Sequence, residues 1–96
     1  MLAELTHEDF ARRLDERFRL HTDTTSHELR LFQVKPLGMG MPGGRQPFSL
    51  LFRAPKDALF PQMIYRIENE AMGALDLFLV PIGPDEHGMV YEALFN

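Results

Sequence analysis

The sequence predicts an α+β fold: a short N-terminal helix, then about six antiparallel strands in a meander, rolled into a small barrel or strongly curved sheet. Two observations predict it. Helical apolar spacing occurs only near the N-terminus, and from Arg17 onward apolar residues recur at alternate positions between clusters of Gly, Pro and Asn. The 96 residues, 45% hydrophobic and 25% charged, are enough for one modest core, so residues 1–96 read as a single domain.

Thr6 is the expected N-cap of the helix, with Asp9 three residues on as its reciprocal partner. Leu5 and Phe10 have the spacing of a hydrophobic staple, and Glu8 and Asp9 favour the positive end of the helix dipole. Phe10 and Leu14 share a face with Ala11 beside them, which places the helix at about 7–15. Arg17 to Thr22 alternates polar and apolar residues and reads as the first strand, although Phe18 also continues the helical spacing of Phe10 and Leu14.

Thr22 to Ser26 is a polar turn. In the second strand, His27 to Pro36, the apolar phase slips between Leu29/Leu31 and Phe32/Val34, which calls for a bulge or for burial on both faces. Residues 36–47 hold four glycines and three prolines and read as a mobile Gly/Pro/Met loop. Phe48, Leu50 and Phe52 then mark a third strand, and Met63, Tyr65 and Ile67 a fourth. Leu75, Leu77 and Leu79 mark a fifth, and Met89, Tyr91, Ala93 and Phe95 a sixth. Gly73 suits the positive φ of a bulged hairpin between strands four and five. Residues 83–88 form the last turn.

This alternation leaves a second apolar set on the opposite face: Leu51, Ile64, Phe78, Val80, Ile82, Val90 and Leu94. The helix, through Phe10, Ala11 and Leu14, is expected to cover only part of it; either the N-terminal segment, through Leu2 and Leu5, covers the rest or a partner does. Strand 75–82, apolar on both faces, is expected to be central and covered on both sides. Leu51, Ile64, Phe78, Val80, Val90 and Leu94 are therefore the candidate interaction surface.

Catalytic and ligand-binding chemistry is sparse. There are no cysteines, hence no disulfide, thiol nucleophile or cysteine zinc site. His7, His21, His27 and His87 show no metal-ligand spacing, so no metal is expected; His21 and His27 are the pair to watch, because they could face each other across a hairpin. Asp85, Glu86 and His87 lie in a turn with no pocket to shift a pKa, and read as solvated. The glycines at 38, 40, 43 and 44 lack the Lys-Ser/Thr and the following helix of a phosphate loop. Tyr65 and Tyr91 read as core residues with hydroxyls reaching water. No catalytic residue and no cofactor is expected.

Residues 1–48 balance seven basic against seven acidic side chains, and residues 49–96 hold three against seven. An acidic half does not favour nucleic acid or an anionic membrane. The N-terminus lacks a secretory signal and no segment could cross a bilayer, which points to the cytoplasm, or to export without a signal peptide as part of an assembly.

Gln46-Pro-Phe-Ser-Leu-Leu-Phe-Arg53, the C-terminal stretch from Leu77 to Asn96 and the opening Leu5-Thr-His-Glu-Asp-Phe10 resemble a family of small bacterial proteins of unknown function. The resemblance spans nearly the whole chain and implies a stand-alone domain, with no activity, cofactor or catalytic residues to carry over. It also implies a role in a phage-tail-like or secreted assembly. The expected function is a non-enzymatic interaction or structural domain, with a protein partner and a weak homodimer at high concentration. The alternative is a small-molecule-binding β-barrel, which would need an unfilled interior and would use residues 37–46 as a lid.

Overall fold

A computed structural model describes residues 2–38, Gly40 and 42–96. A 3-10 turn (Leu2–Glu4) leads into helix α1 (His7–Ala11). Six strands follow: β1 (Arg17–His21), β2 (Ser26–Pro36), β3 (Phe48–Ala54), β4 (Met63–Asn69), β5 (Gly73–Asp85) and β6 (Gly88–Phe95). They close into an antiparallel barrel in the order β1-β2-β3-β6-β5-β4.

The expected single meander is therefore two three-stranded meanders joined edge to edge. β3 pairs with β6, from Phe48↔Phe95 to Ala54↔Met89, and β4 pairs with β1, as in Leu20↔Ile67. The cause is the connection 55–62. It carries Pro55 and Pro61, so it cannot form a tight hairpin, and it crosses the barrel mouth instead. There the Phe60 N–H donates to the Tyr91 hydroxyl (2.8 Å), which donates in turn to the Ala58 carbonyl (2.5 Å). The Tyr65 hydroxyl donates to the Pro61 carbonyl (2.5 Å). The two tyrosines thus donate their hydroxyl protons to this loop.

The opposite mouth is closed by α1. Phe10 is fully buried against Phe95 (5.3 Å between ring centroids) and Phe48 (5.8 Å), which stack on each other at 4.6 Å. The helix is shorter than the expected 7–15 because strand pairing competes with it. The Asp15 N–H donates to the Leu31 carbonyl, and the Leu31 N–H donates to the Glu16 carbonyl. Asp15 takes a positive φ of 69° to make that turn. Leu14 falls outside the helix and is 46% exposed, so it does not extend the face of Phe10. Asp9 accepts from the Thr6 N–H (2.9 Å) and from its hydroxyl, the reciprocal arm of the expected cap.

The interior is set by parity. Phe18, Leu20, Leu31, Leu50, Phe52, Ile67, Leu79 and Tyr91 are at most 1% exposed. Of the residues expected to face inward, Met63, at the first position of β4, is exposed, and Leu75 is half-buried. The phase slip in β2 is a bulge, with the register jumping between Leu31 and Gln33 opposite β3. It turns Phe32 outward under the Arg53 guanidinium, 3.8 Å above the ring.

Two of the hairpins follow their turn residues. Gly73 has φ +77°, and the Asn69 side chain accepts from the N–H groups of Ala71 and Met72. The last turn is tighter than the expected 83–88: Asp85 pairs with Gly88 around Glu86 and His87, so β5 runs through Pro81 and Pro84. Gly88 is required there twice over. Its φ is +154°, and a Cβ would lie 2.2 Å from the Ala54 carbonyl oxygen.

The segment expected to be a mobile loop connects β2 to β3; Met39 and Met41 lie outside the described residues. Its stem is closed by the Leu37 N–H on the Pro47 carbonyl, and Gln46 donates to the Gly38 carbonyl. From this loop Arg45 donates to the carbonyls of Leu2 (2.7 Å), Leu5 (2.8 Å) and Asn96 (2.7 Å) while lying against Phe48 and Phe95.

Candidate interaction surface

Because α1 plugs a mouth of the barrel, it leaves the outer wall of β3, β6, β5 and β4 uncovered. The expectation that the helix shields part of this face is corrected on that ground. β5 is central in that both its edges pair, yet its outer side chains are not covered. Phe78 is 48% and Ile82 51% exposed, and Val80 is half-buried.

Of the six candidate residues, Ile64 (63% exposed), Phe78 and Leu94 (58%) form the exposed centre. Ile64 and Phe78 are direct cross-strand neighbours, and both line a groove of about 380 Å³ with Leu94, Leu2, Asp76 and Asn96. Leu51 and Val80 are half-buried, each opposite Glu92 on β6. Val90 does not belong to the surface: at 6% exposure, beside Arg53 and the β5 bulge, it is part of the packed wall.

The histidine pair does not assemble. Leu20 is opposite His27 and His21 opposite Ser26, so the two histidines point to different faces. His27 turns inward onto the Phe60 ring (4.6 Å), whereas His21 meets Glu68 on the outside. Among the described residues no group of three His, Asp or Glu side chains could hold a metal.

The last turn is more than solvated side chains. Asp85 accepts from Arg53 (2.5 Å) and from the N–H groups of His87 and Gly88. These donors, Arg53 foremost, hold its carboxyl down at about 2. Burial pushes both tyrosine hydroxyls above their usual range, so they stay protonated as donors to the loop. The paired groups are committed to holding the barrel together. What the outer wall offers is apolar area.

Sequence reasoning missed Arg45, the Arg53–Phe32 stack and the long-range role of Asn69, which it placed only at the head of the 69–73 turn. The one signal for Arg45 was that it is the only charged residue in a Gly/Pro-rich stretch. Nothing local marks that second role, in which the Asn69 side chain donates to Glu16 and to the Arg17 carbonyl more than fifty positions away.

Among the described residues no helix is long and apolar enough to cross a membrane. No curated protein and no solved structure matches the chain. A family model does: it is described as a domain of unknown function, DUF6916, and it matches residues 5–95. Over nearly its whole length, then, this small closed β-barrel belongs to the DUF6916 family.

Proposed function

We propose that the protein is a non-enzymatic interaction domain that presents the outer wall of β4, β5 and β6 to another polypeptide. The observation that carries this reading is the exposure of Ile64, Phe78 and Leu94 side by side on three neighbouring strands. Large aliphatic and aromatic side chains grouped in this way mark a surface that another protein covers. The large side chains buried inside, Phe18, Leu20, Leu31, Leu50, Phe52, Ile67, Leu79 and Tyr91, favour the same choice over a small-molecule barrel, which needs a cavity of about 300 Å³ or more inside. The place of such a domain in a tail-like assembly, which the resemblance implies, would call for a wall of this kind.

At high concentration two copies meet through the wall as a weak homodimer. Covering one such side chain is worth roughly 1.5–3 kcal/mol, against association costs of several kcal/mol, so the dimer is weak. Sedimentation equilibrium on the wild type and on Leu94→Lys tests this. Concentration-dependent association in the wild type, lost in a folded Leu94→Lys, is the expected result. A wild type that stays monomeric at millimolar concentration overturns the self-association. A Leu94→Lys chain that does not fold would mean that the wall is internal core, and overturns the whole reading.

A further inference from the structure

The ladder between β5 and β6 stops early. Its last registered pair is Val80↔Glu92, although β6 continues to Phe95 and β5 begins at Gly73. The groove lined by Asp76, Phe78, Leu94 and Asn96 lies where the two strands part, and Leu77, Ala93 and Phe95 form its floor.

Hydrogen-bond parity shows what the parting leaves behind. Asp85 and Gly88 flank a two-residue hairpin and are therefore a bonded pair. Alternation along β6 makes Val90 and Glu92 bonded on this side, and Met89 and Tyr91 not. Across from these last two stand Pro84 and Pro81, which have no N–H to give. With one residue absorbed by the bulge between Pro81 and Gly83, the next bonded pair after Val80↔Glu92 would be Phe78 and Leu94. Their N–H and C=O groups point into the seam, and among the described residues the β5–β6 pairing does not extend to them.

We propose that this seam is a strand-addition site, filled by an extended polypeptide segment that pairs with the backbone of Phe78 and Leu94. The inference rests on the interaction reading above and deepens it. Unpaired strand backbone selects an extended chain over a helix or a small ligand. The side chains set the rest of the chemistry. Leu2, Ile64, Phe78 and Leu94 accept apolar residues at alternate positions of the segment. Asp76 at the groove and Glu92 beside it favour a basic residue on the partner. Arg66 reaches Asp76 only at 3.8 Å, and among the described residues Glu92 has no ion-pair partner. Arg45, also at the groove, is engaged by three backbone carbonyls.

The test uses the full chain, labelled with nitrogen-15, and two synthetic peptides. One is a blocked peptide of alternating valine and threonine with lysine at both ends. The other is the same peptide N-methylated at every second residue, which keeps the side chains and removes one edge of backbone donors. In the free protein, the Phe78 and Leu94 amides are expected to exchange at least tenfold faster than those of Val80 and Glu92. The first peptide should protect both amides and shift their resonances, and methylation should weaken it tenfold or more. Equal binding of the two peptides would overturn strand addition while leaving side-chain docking, and the interaction reading, intact. Slow exchange at Phe78 and Leu94 in the free protein, or no binding of either peptide at millimolar concentration, also overturns strand addition. In those cases the Leu94→Lys sedimentation experiment still decides the interaction reading separately.

Discussion

At the scale of single residues, two groups outside the apolar core hold distant parts of the chain together. Arg45 is one: its planar fork reaches three carbonyls from both ends of the described chain while stacking near two phenylalanines. A lysine keeps the charge but not the fork. Arg45→Lys is therefore expected to lose about 1–2 kcal/mol, the net worth of one or two such bonds, read as a lower urea midpoint. Asp85 is the other. A carboxyl held at about 2 in the fold and near its ordinary 3.8 when unfolded stabilises the protein above pH 4, and this contribution is lost as the pH falls toward 2. The urea midpoint should drop across that window, and Asp85→Asn should flatten the drop without abolishing it. Some must remain because Asp9, lowered chiefly by the Thr6 N–H, titrates with the same sign.

At the scale of elements, the two hairpins of the second meander use glycine for different reasons. Gly73 has φ +77° and open space where a Cβ would stand, so Gly73→Ala meets only the cost of a left-handed backbone, about 1–2 kcal/mol. Gly88 has the additional collision with the Ala54 carbonyl, and backbone cannot swing aside as a side chain can. Gly88→Ala should cost distinctly more than Gly73→Ala; thermal unfolding of the pair checks the order, and equal losses would contradict it. The turn chemistry at Gly73 was legible in the sequence because it is local. The close approach at Gly88 was not, since it depends on β3 lying alongside the β5–β6 turn.

Across the whole molecule, parity decides what each side chain does, and adjacent residues of β5 make the contrast. Leu77 is 2% exposed inside the barrel, and Phe78 is 48% exposed on the wall. Leu77→Ala should destabilise by about 2–5 kcal/mol, a large part of the total stability of a chain this small. Phe78→Ser should change stability by no more than about 0.5 kcal/mol while weakening self-association. Chemical denaturation of both variants, with sedimentation of the second, separates the roles. Comparable destabilisation by the two would mean that the wall is not a free surface.

The sequence by itself determined the local and periodic features: one capped N-terminal helix, six strands, a phase slip in β2, the positive-φ glycine at 73 and most of the inward side chains. Each of these follows from backbone preferences and a two-residue period, which act between near neighbours. Only the tertiary structure decided how the strands close. The β3–β6 and β1–β4 pairings join residues tens of positions apart, and alternation within a strand does not specify its neighbour. The same closure sent α1 to a mouth of the barrel, because Phe10 fits against the Phe48–Phe95 stack there. It also left the wall of Ile64, Phe78 and Leu94 bare and parted β5 from β6 below Val80. A sequence names the apolar residues on a strand's second face; whether anything covers them depends on where the rest of the chain has gone.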